Sequence, residues 1–149
     1  MKRHYVIFAV LFSCASAWSN QSGAAGAVAI ALPPEGAQVG VSYGVGNGLP
    51  DDKAAQAAAM DQCRTSPDAR TNEKLRSLCK VVQSFSNQCA ADALDPQNGT
   101  PGFGWAVAND KHTAEAQALA NCQATAGPGR AATCRLHSSK CDGSANKRA

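Results

Sequence analysis

Most of this sequence consists of two copies of one pattern, and this internal repeat constrains the fold more than any other feature. Each copy has a run of small and apolar residues, a turn, a second strand-like run, an alanine-rich stretch ending in cysteine, and a segment that opens with cysteine and a basic residue. These parts span 29–36, 40–45, 52–63 and 79–81 in the first copy, and 91–99, 102–107, 110–122 and 134–136 in the second. The repeat predicts one unit of strand, turn, strand, helix and strand in each copy.

The second strand of each copy alternates between bulky and small residues, so that one face is predicted to be bulky and the other nearly flat. Tyr43 and Trp105 take matching bulky positions in this alignment, and Ser42 is matched by Gly104. Alanine-rich helices carry little apolar bulk and must pack closely on a sheet. We therefore expect Tyr43 and Trp105 to fill the space under the helices. The alternative is that they are exposed as a paired aromatic platform for a protein or glycan partner.

The first residues have the layout of a secretory signal peptide. Lys2 and Arg3 form a basic head, residues 5–12 are apolar, and Ala15-Ser16-Ala17 supplies small residues at a cleavage site. The apolar run is too short to span a bilayer. We predict cleavage after Ala17 and a location in the periplasm or the medium. The alternative is lipidation of Cys14, at a segment similar to a lipobox, which would tether the same domain to a membrane surface.

The chain has seven cysteines, and either route of processing sets Cys14 apart from the others. The six cysteines that remain are an even number, and an even number of cysteines in a short exported chain predicts disulfides. Many pairings are possible, and the pseudo-symmetry favours Cys63 with Cys79, Cys122 with Cys134, and Cys89 with Cys141. No pair has the C-x-x-C spacing of zinc sites, so we expect no metal and no other cofactor.

Removal of Lys2 and Arg3 with the signal leaves 12 basic side chains against 11 acidic ones, from 14 and 11 in the whole chain. This balance favours neither nucleic acid nor an anionic membrane as a partner. Membrane association is expected only with lipidation at Cys14, and the expected partner is another protein or an envelope component.

The predicted organisation is a signal peptide at 1–17, a flexible lead-in at 18–25, the repeat domain at 26–141 and a disordered tail at 142–149. A charged loop between the first helix and the strand after it has no counterpart of equal length in the second copy. It is a candidate binding surface, although a solvated loop is the simpler interpretation. The cations singled out in it are Arg70, Lys74 and Arg76.

Residues 40–44 match the G-x-S-x-G pattern of hydrolase nucleophiles, with Ser42 as the serine. The context disfavours this interpretation, because the chain is short and the matching residue in the second copy is a glycine. His112 and His137 have no carboxylate partner near them in the sequence and are expected to have surface or packing roles. The sequence leaves catalysis open and favours a domain without it.

The pattern of small-residue strand, aromatic-bearing strand, alanine-rich helix and cysteine-led strand resembles a bacterial secreted family, domain of unknown function 4189. The residues that carry the resemblance are Cys89–Leu94, Gly102–Trp105, Ala114–Cys122 and Cys134-Arg135. The resemblance implies export and a compact disulfide-bonded α+β domain. First strands of this family often begin with Trp-Gly, where this chain has Ala25-Gly26.

These observations together predict an α+β fold, with two pseudo-symmetric β-β-α-β units in one small disulfide-bonded domain. The predicted function is that of an exported non-catalytic binding module of the bacterial envelope. An inhibitor, an immunity-type protein or a secreted interaction factor would fit this description. The alternatives are a small periplasmic hydrolase that uses Ser42 and a structural envelope component.

Overall fold

The computed structural model describes residues 24–148. The predicted signal peptide, the lipidation site Cys14 and most of the predicted lead-in lie outside the described residues. The first unit contains two strands, three helices and a third strand: β1 (Ala25–Ala31), β2 (Ser42–Leu49), α1 (Asp52–Thr65), α2 (Pro67–Thr71), α3 (Glu73–Ser77) and β3 (Lys80–Ser86). The second unit contains two strands, one helix and a third strand: β4 (Cys89–Leu94), β5 (Phe103–Ala108), α4 (Lys111–Thr125) and β6 (Arg135–Cys141).

Each unit forms its own antiparallel three-stranded sheet, with the first strand of the unit in the centre. The orders are β2-β1-β3 and β5-β4-β6. The predicted α+β class and the two β-β-α-β units are therefore confirmed. None of the helices in the part of the chain that the structure describes is long and apolar enough to cross a membrane.

The capping residues explain where the two long helices begin. The carboxylate of Asp51 accepts a hydrogen bond from the backbone N–H of Ala54 at 2.8 Å, and Asp110 accepts one from Thr113 at 2.9 Å. Both aspartates thus satisfy a backbone donor that the first helical turn leaves free.

The long helices lie directly on the flat faces of the sheets. A Cβ atom placed on Gly44 would lie 2.2 Å from the carbonyl oxygen of Ala59 in α1, and one on Gly104 would lie 2.2 Å from the backbone nitrogen of Cys122 in α4. The facing helix positions are alanines with no exposed surface, including Ala59 and Ala118. Glycine on the strand and alanine on the helix therefore allow backbone-to-backbone contact.

The bulky faces of the two sheets pack against each other instead of under the helices. Val28, Ile30 and Phe103 are buried in this central layer, and Tyr43 and Trp105 are partly buried against it. The order of layers is α1, first sheet, second sheet, α4. The prediction that Tyr43 and Trp105 lie under the helices is wrong, because the helices are too close to the strands to leave room for an aromatic ring.

The register of the repeat also differs from the alignment that the sequence suggests. The pairing of β1 with β3 shifts after Val28, and the pairing of β4 with β6 shifts after Asp92. Val28 and Asp92 are therefore equivalent positions in the two units. Val45 pairs with Val28, and Trp105 pairs with Asp92. Trp105 is therefore matched by Val45 rather than by Tyr43.

The strand pairing also changes two further equivalences between the units. Tyr43 pairs with Ile30 as Phe103 pairs with Leu94, so Phe103 is the counterpart of Tyr43. By the same spacing the counterpart of Ser42 is Gly102 rather than Gly104. The residue equivalent to Ser42 in the second unit is still a small one, although it is a different glycine.

Three disulfides close the fold, in the pairs that the pseudo-symmetry favours. Two of them tie the C-terminal half of a long helix to the segment before the last strand of its unit, and the third joins β4 to β6. The bonds are Cys63–Cys79, Cys122–Cys134 and Cys89–Cys141, with sequence separations of 16, 12 and 52. Closing such loops lowers the entropy of the unfolded chain, which supports a small core.

The end of the chain differs from the disordered tail that the sequence predicted from residue 142. Asp142 has no exposed surface, and its carboxylate accepts a hydrogen bond from the backbone N–H of Gln88 at 2.9 Å. Residues Gly143–Lys147 form a short 3-10 helix in which Ala145 is buried. Ala145 packs in the core of the second unit. At the other end of the domain, β1 begins one residue before the predicted boundary.

The close contact between helix and sheet indicates that a larger residue at position 104 would destabilise the fold. Gly104→Ala should lower the free energy of unfolding by about 2–3 kcal/mol, because the added methyl group overlaps the backbone of α4 and forces strand and helix apart. Urea denaturation with the disulfides intact measures the change. Gln83→Ala, on an exposed strand position, is the control and should change stability by less than about 0.5 kcal/mol. Equal stability of the two variants would contradict the backbone contact.

Candidate functional site

A β-bulge in the second sheet brings a histidine and a serine to one aspartate. Asp92 pairs with Ser138, and the next residue of β4 pairs with Leu136, so His137 is the extra residue of β6. A bulge re-aims side chains in this way, and it places both His137 and Ser138 next to Asp92.

Both carboxylate oxygens of Asp92 are hydrogen-bonded. Nδ1 of His137 lies 2.9 Å from Oδ2, and the hydroxyl of Ser138 donates to Oδ1. The Asp92 side chain is 1% exposed, whereas that of His137 is 61% exposed. Burial raises the pKa of Asp92 above its ordinary value, and the hydrogen bonds from Ser138 and His137 oppose the rise.

The first unit has the same bulge without the polar residues. Val28 pairs with Gln83 and the next residue of β1 pairs with Val81, which leaves Val82 as the extra residue. Val28 thus stands where Asp92 does, and Val82 stands where His137 does. The fold accepts an apolar pair at this position. Because a buried carboxylate is costly, the polar pair is a candidate functional site rather than a requirement of folding.

The aspartate and histidine line a small cavity of about 180 Å³ at one open side of the layer between the sheets. We call this cavity the polar cleft and define it by six of its lining residues: Ser42, Tyr43, Ser66, Asp92, Phe103 and His137. The cleft brings residues of both units together.

Tyr43 lines the polar cleft and has a buried hydroxyl. Among the described residues its oxygen has no hydrogen-bond partner. Its ring packs edge-on against Phe103, with centroids 6.5 Å apart. Burial, assisted by the negative charge of Asp92, raises the pKa of Tyr43 far above its ordinary value, so the phenol keeps its proton and is available as a donor.

Ser42 lies in the polar cleft, but its proton is directed elsewhere. The Ser42 hydroxyl donates to the backbone carbonyl of Cys63. Its oxygen lies 2.7 Å from the hydroxyl of Ser66, which therefore acts as the donor in that contact. A serine nucleophile needs its proton to point at a base. In this arrangement Ser42 instead ties β2 to the end of α1.

A second cavity, of about 470 Å³, opens at the other side of the layer between the sheets. We call it the apolar cleft and define it by Ile30, Leu32, Val82, Phe103, Trp105 and Asn121. Leu32 and Val82 are 48% and 37% exposed. Trp105 therefore belongs to this cleft and Tyr43 to the other, and they form no shared aromatic platform.

The two strand edges beside the apolar cleft differ. On β5, the Thr125 hydroxyl accepts a hydrogen bond from the N–H of Phe103 and donates one to its carbonyl. The Asn121 side chain donates to the carbonyl of Trp105 at 2.9 Å. These bonds cover the edge of β5. On the other wall, β3 is an edge strand whose strand partner within the described residues is β1 alone. The outer edge of β3 is therefore open to a further strand.

The predicted cationic surface does not join either cleft. Arg70 in α2 donates to the carbonyl of Thr65. Lys74 lies 3.7 Å from Glu35, and Arg76 lies 3.9 Å from Glu73, both as exposed ion pairs. Exposed pairs of this kind contribute little to stability, and a binding role of these cations stays a prediction.

Sequence reasoning missed two polar residues of the second unit. Asp92 is one, because its partner His137 is 45 residues away. Asp95 is the other: Arg130 binds its two oxygens at 2.6 and 2.9 Å, and Thr133 adds a third bond at 2.8 Å. The Arg130 hydrogen bonds hold the pKa of Asp95 well below its usual range. This cluster fastens a turn to the segment after α4.

The fold and its clefts define a small disulfide-bonded α+β domain built from two diverged copies of one unit. Residues 25–141 match the family described as Domain of unknown function (DUF4189), and the chain belongs to that family. Searches of the curated proteins and of the solved structures give no match.

The comparison of the two bulges makes a prediction about stability. Asp92→Val combined with His137→Val reproduces the residues of the first unit and should raise the free energy of unfolding at pH 7 by about 1–2 kcal/mol. The pKa of Asp92 is higher in the folded protein, so folding takes up protons above pH 3.8 and wild-type stability falls as the pH rises through that window. The gain of the variant should therefore grow from pH 3 to pH 7.

Urea denaturation between pH 3 and pH 7 measures this gain. Leu136→Val, next to His137 on the same strand and 45% exposed, is a control that leaves Asp92 intact and should keep the wild-type pH dependence. A double variant less stable than the wild type at pH 7 would show that the polar pair serves folding.

The hydrogen bonds of Ser42 make a separate prediction. Ser42→Ala should lower the free energy of unfolding by about 1–2 kcal/mol, because it leaves the buried carbonyl of Cys63 without its hydroxyl donor. Hydrolysis of a p-nitrophenyl ester should be the same for this variant and the wild type. Esterase activity that disappears in Ser42→Ala and in His137→Ala, but not in Trp105→Phe, would assign Ser42 a catalytic role instead.

Proposed function

We propose that the chain is an exported, non-catalytic module of the bacterial envelope that binds another protein along the apolar cleft. The observation that carries this proposal is the position of the cleft beside an open strand edge. Leu32 and Val82, both substantially exposed, line this cleft, and Val82 is on β3, whose outer side has no strand partner within the described residues. Exposed apolar side chains gathered in a cavity on so small a domain are typical of an interaction site.

The expected mode of binding is addition of an extended segment of the partner to β3. The outer backbone groups of β3 would pair with such a segment, and every second side chain of it would enter the apolar cleft. The edge of β5 is covered by Thr125 and Asn121, so the segment has one strand to pair with. An inhibitor, an immunity-type protein and a secreted interaction factor could each act through this surface.

Export is supported by the N-terminal sequence together with the disulfides. The basic head, apolar run and Ala-x-Ala site of residues 1–17 are typical of a secretory signal, and three disulfides are typical of proteins in oxidising compartments. We place the domain in the periplasm or the medium. A membrane tether would require lipidation at Cys14.

One observation supports the alternative of a small hydrolase, and another speaks against it. Ser42, Asp92 and His137 line the same cavity, and Asp92 orients the imidazole as a catalytic carboxylate would. The Ser42 proton, however, is bonded to the carbonyl of Cys63 rather than to His137. The binding role is therefore favoured over both the hydrolase and a purely structural envelope component.

Photo-crosslinking in the producing bacterium tests the proposed surface. A photoreactive phenylalanine analogue at position 82 should give one discrete adduct with an envelope protein, because that position lines the apolar cleft beside the open edge. The same analogue at position 136, which is 45% exposed on β6, is the matched control and should give none. Val82→Lys should weaken binding of the identified partner at least tenfold, while Leu136→Lys changes it less than twofold. Equal adducts from both positions, or a partner that binds Val82→Lys normally, would contradict the proposal.

A further inference from the structure

The polar cleft has two hydrogen-bonding groups without a partner among residues 24–148. The Tyr43 hydroxyl is buried, and among the described residues it has no partner. His137 uses Nδ1 for Asp92, which fixes the orientation of the ring and leaves Nε2 on a side chain that is 61% exposed at the mouth of the cleft. A ligand in the cleft would find one buried donor and one oriented imidazole.

The walls between these groups are apolar. Val41, Leu94 and Phe103 line the cavity together with the ring of Tyr43. Aromatic rings and aliphatic side chains next to a few fixed polar groups are typical of small-molecule sites, in which the apolar surface holds the ligand and the polar groups orient it. C–H groups of a ligand would pack on the walls while its hydroxyls reach Tyr43 and His137.

Charge in the cleft disfavours an ionic ligand. No lysine or arginine is among the lining residues in the described part of the chain, so an anion would lack a permanent countercharge there. Both carboxylate oxygens of Asp92 are already engaged by His137 and Ser138, and the remaining carboxylate, that of Asp68, is on an exposed residue. A neutral ligand whose groups both donate and accept hydrogen bonds fits this arrangement best, and hydroxyl groups do both.

The size of the cleft limits the ligand further. Its volume of about 180 Å³ is below the roughly 300–1,000 Å³ typical of sites for drug-sized molecules, so it suits a single ring. We propose that the polar cleft binds a neutral, hydroxyl-bearing ligand of the size of one sugar ring, with Tyr43 and His137 as the residues that hydrogen-bond to it. This site shares Phe103 with the apolar cleft, but its hydrogen-bonding residues are not part of that cleft, and the proposal does not depend on the protein-binding role.

Nuclear magnetic resonance titration of the disulfide-bonded protein tests the proposal. The probes are the methyl glycosides of glucose, galactose, mannose and N-acetylglucosamine, each raised to about 50 mM. At least one should give saturable shifts with a millimolar dissociation constant, as expected for a single small ring with few hydrogen bonds. The shifted amides should include those of Tyr43, Asp92 and His137. Absence of saturation with all four probes would overturn the proposal.

Substitutions separate hydrogen bonding from packing. Tyr43→Phe removes only the hydroxyl and introduces the residue that the second unit has at the equivalent position, so the variant should fold with unchanged or higher thermal stability. It should weaken binding of the best probe about fivefold, the usual effect of one lost hydrogen bond. Trp105→Phe, in the apolar cleft, is the matched control and should bind within about twofold of wild type.

Two results of this comparison would overturn the inference. The first is a folded Tyr43→Phe variant that binds the probe as the wild type does, which would remove Tyr43 as a ligand-binding residue. The second is saturable binding of glucosamine, with its positive amine, in the absence of binding by every neutral glycoside. That result would identify the cleft as a cation site.

Discussion

The contact between glycine-bearing strands and alanine-bearing helices determines how every other part of the fold is placed. Gly44 and Gly104 let α1 and α4 approach until backbone atoms touch. At that distance the outer face of each sheet has no room for a large side chain, and the bulky residues must point to the opposite face. Within the described residues, that face is covered by the equivalent face of the other unit. The order helix, sheet, sheet, helix thus follows from the small residues, and the large residues fill the space that remains.

The same constraint determines where the protein can carry function. The helix-facing cores consist mostly of alanine and cystine. The layer between the sheets contains the larger side chains and is open at two sides, where β2 approaches β6 and where β3 approaches β5. Pseudo-symmetry makes these openings equivalent in backbone, so a difference between them comes from side chains. One is lined by Asp92 and His137 and the other by Val82 and Trp105, which gives a single small domain two unlike sites.

The sequence contained enough to predict the units but not how they meet. The alternation of Tyr43 and Val45 with Gly44 identified two strand faces, and the repeat was sufficient to favour all three disulfide pairs. It could not tell which face meets the helix, because that depends on the distance of approach. The bulges at Val82 and His137 leave no mark in the spacing of hydrophobic residues. The alignment by sequence was two residues out of register, which matched Tyr43 with Trp105 and hid the exchange of Val28 for Asp92. A comparison in the correct register would have singled out Asp92.

A domain with so little apolar bulk can retain a buried carboxylate only if stability comes from elsewhere. Aromatic residues make up 5% of the chain, and the two helix-facing cores are mostly alanine. Such cores gain little from burial per residue, since alanine has few carbon atoms to remove from water. Each disulfide contributes stability on the order of 3 kcal/mol by restricting the unfolded chain, without needing core volume. The disulfide across the second sheet, Cys89–Cys141, joins the same two strands that hold Asp92 and His137. Cross-linking those strands offsets the cost of the polar pair where it arises, so one unit could diverge toward a polar site while the other kept the apolar pair that the fold prefers.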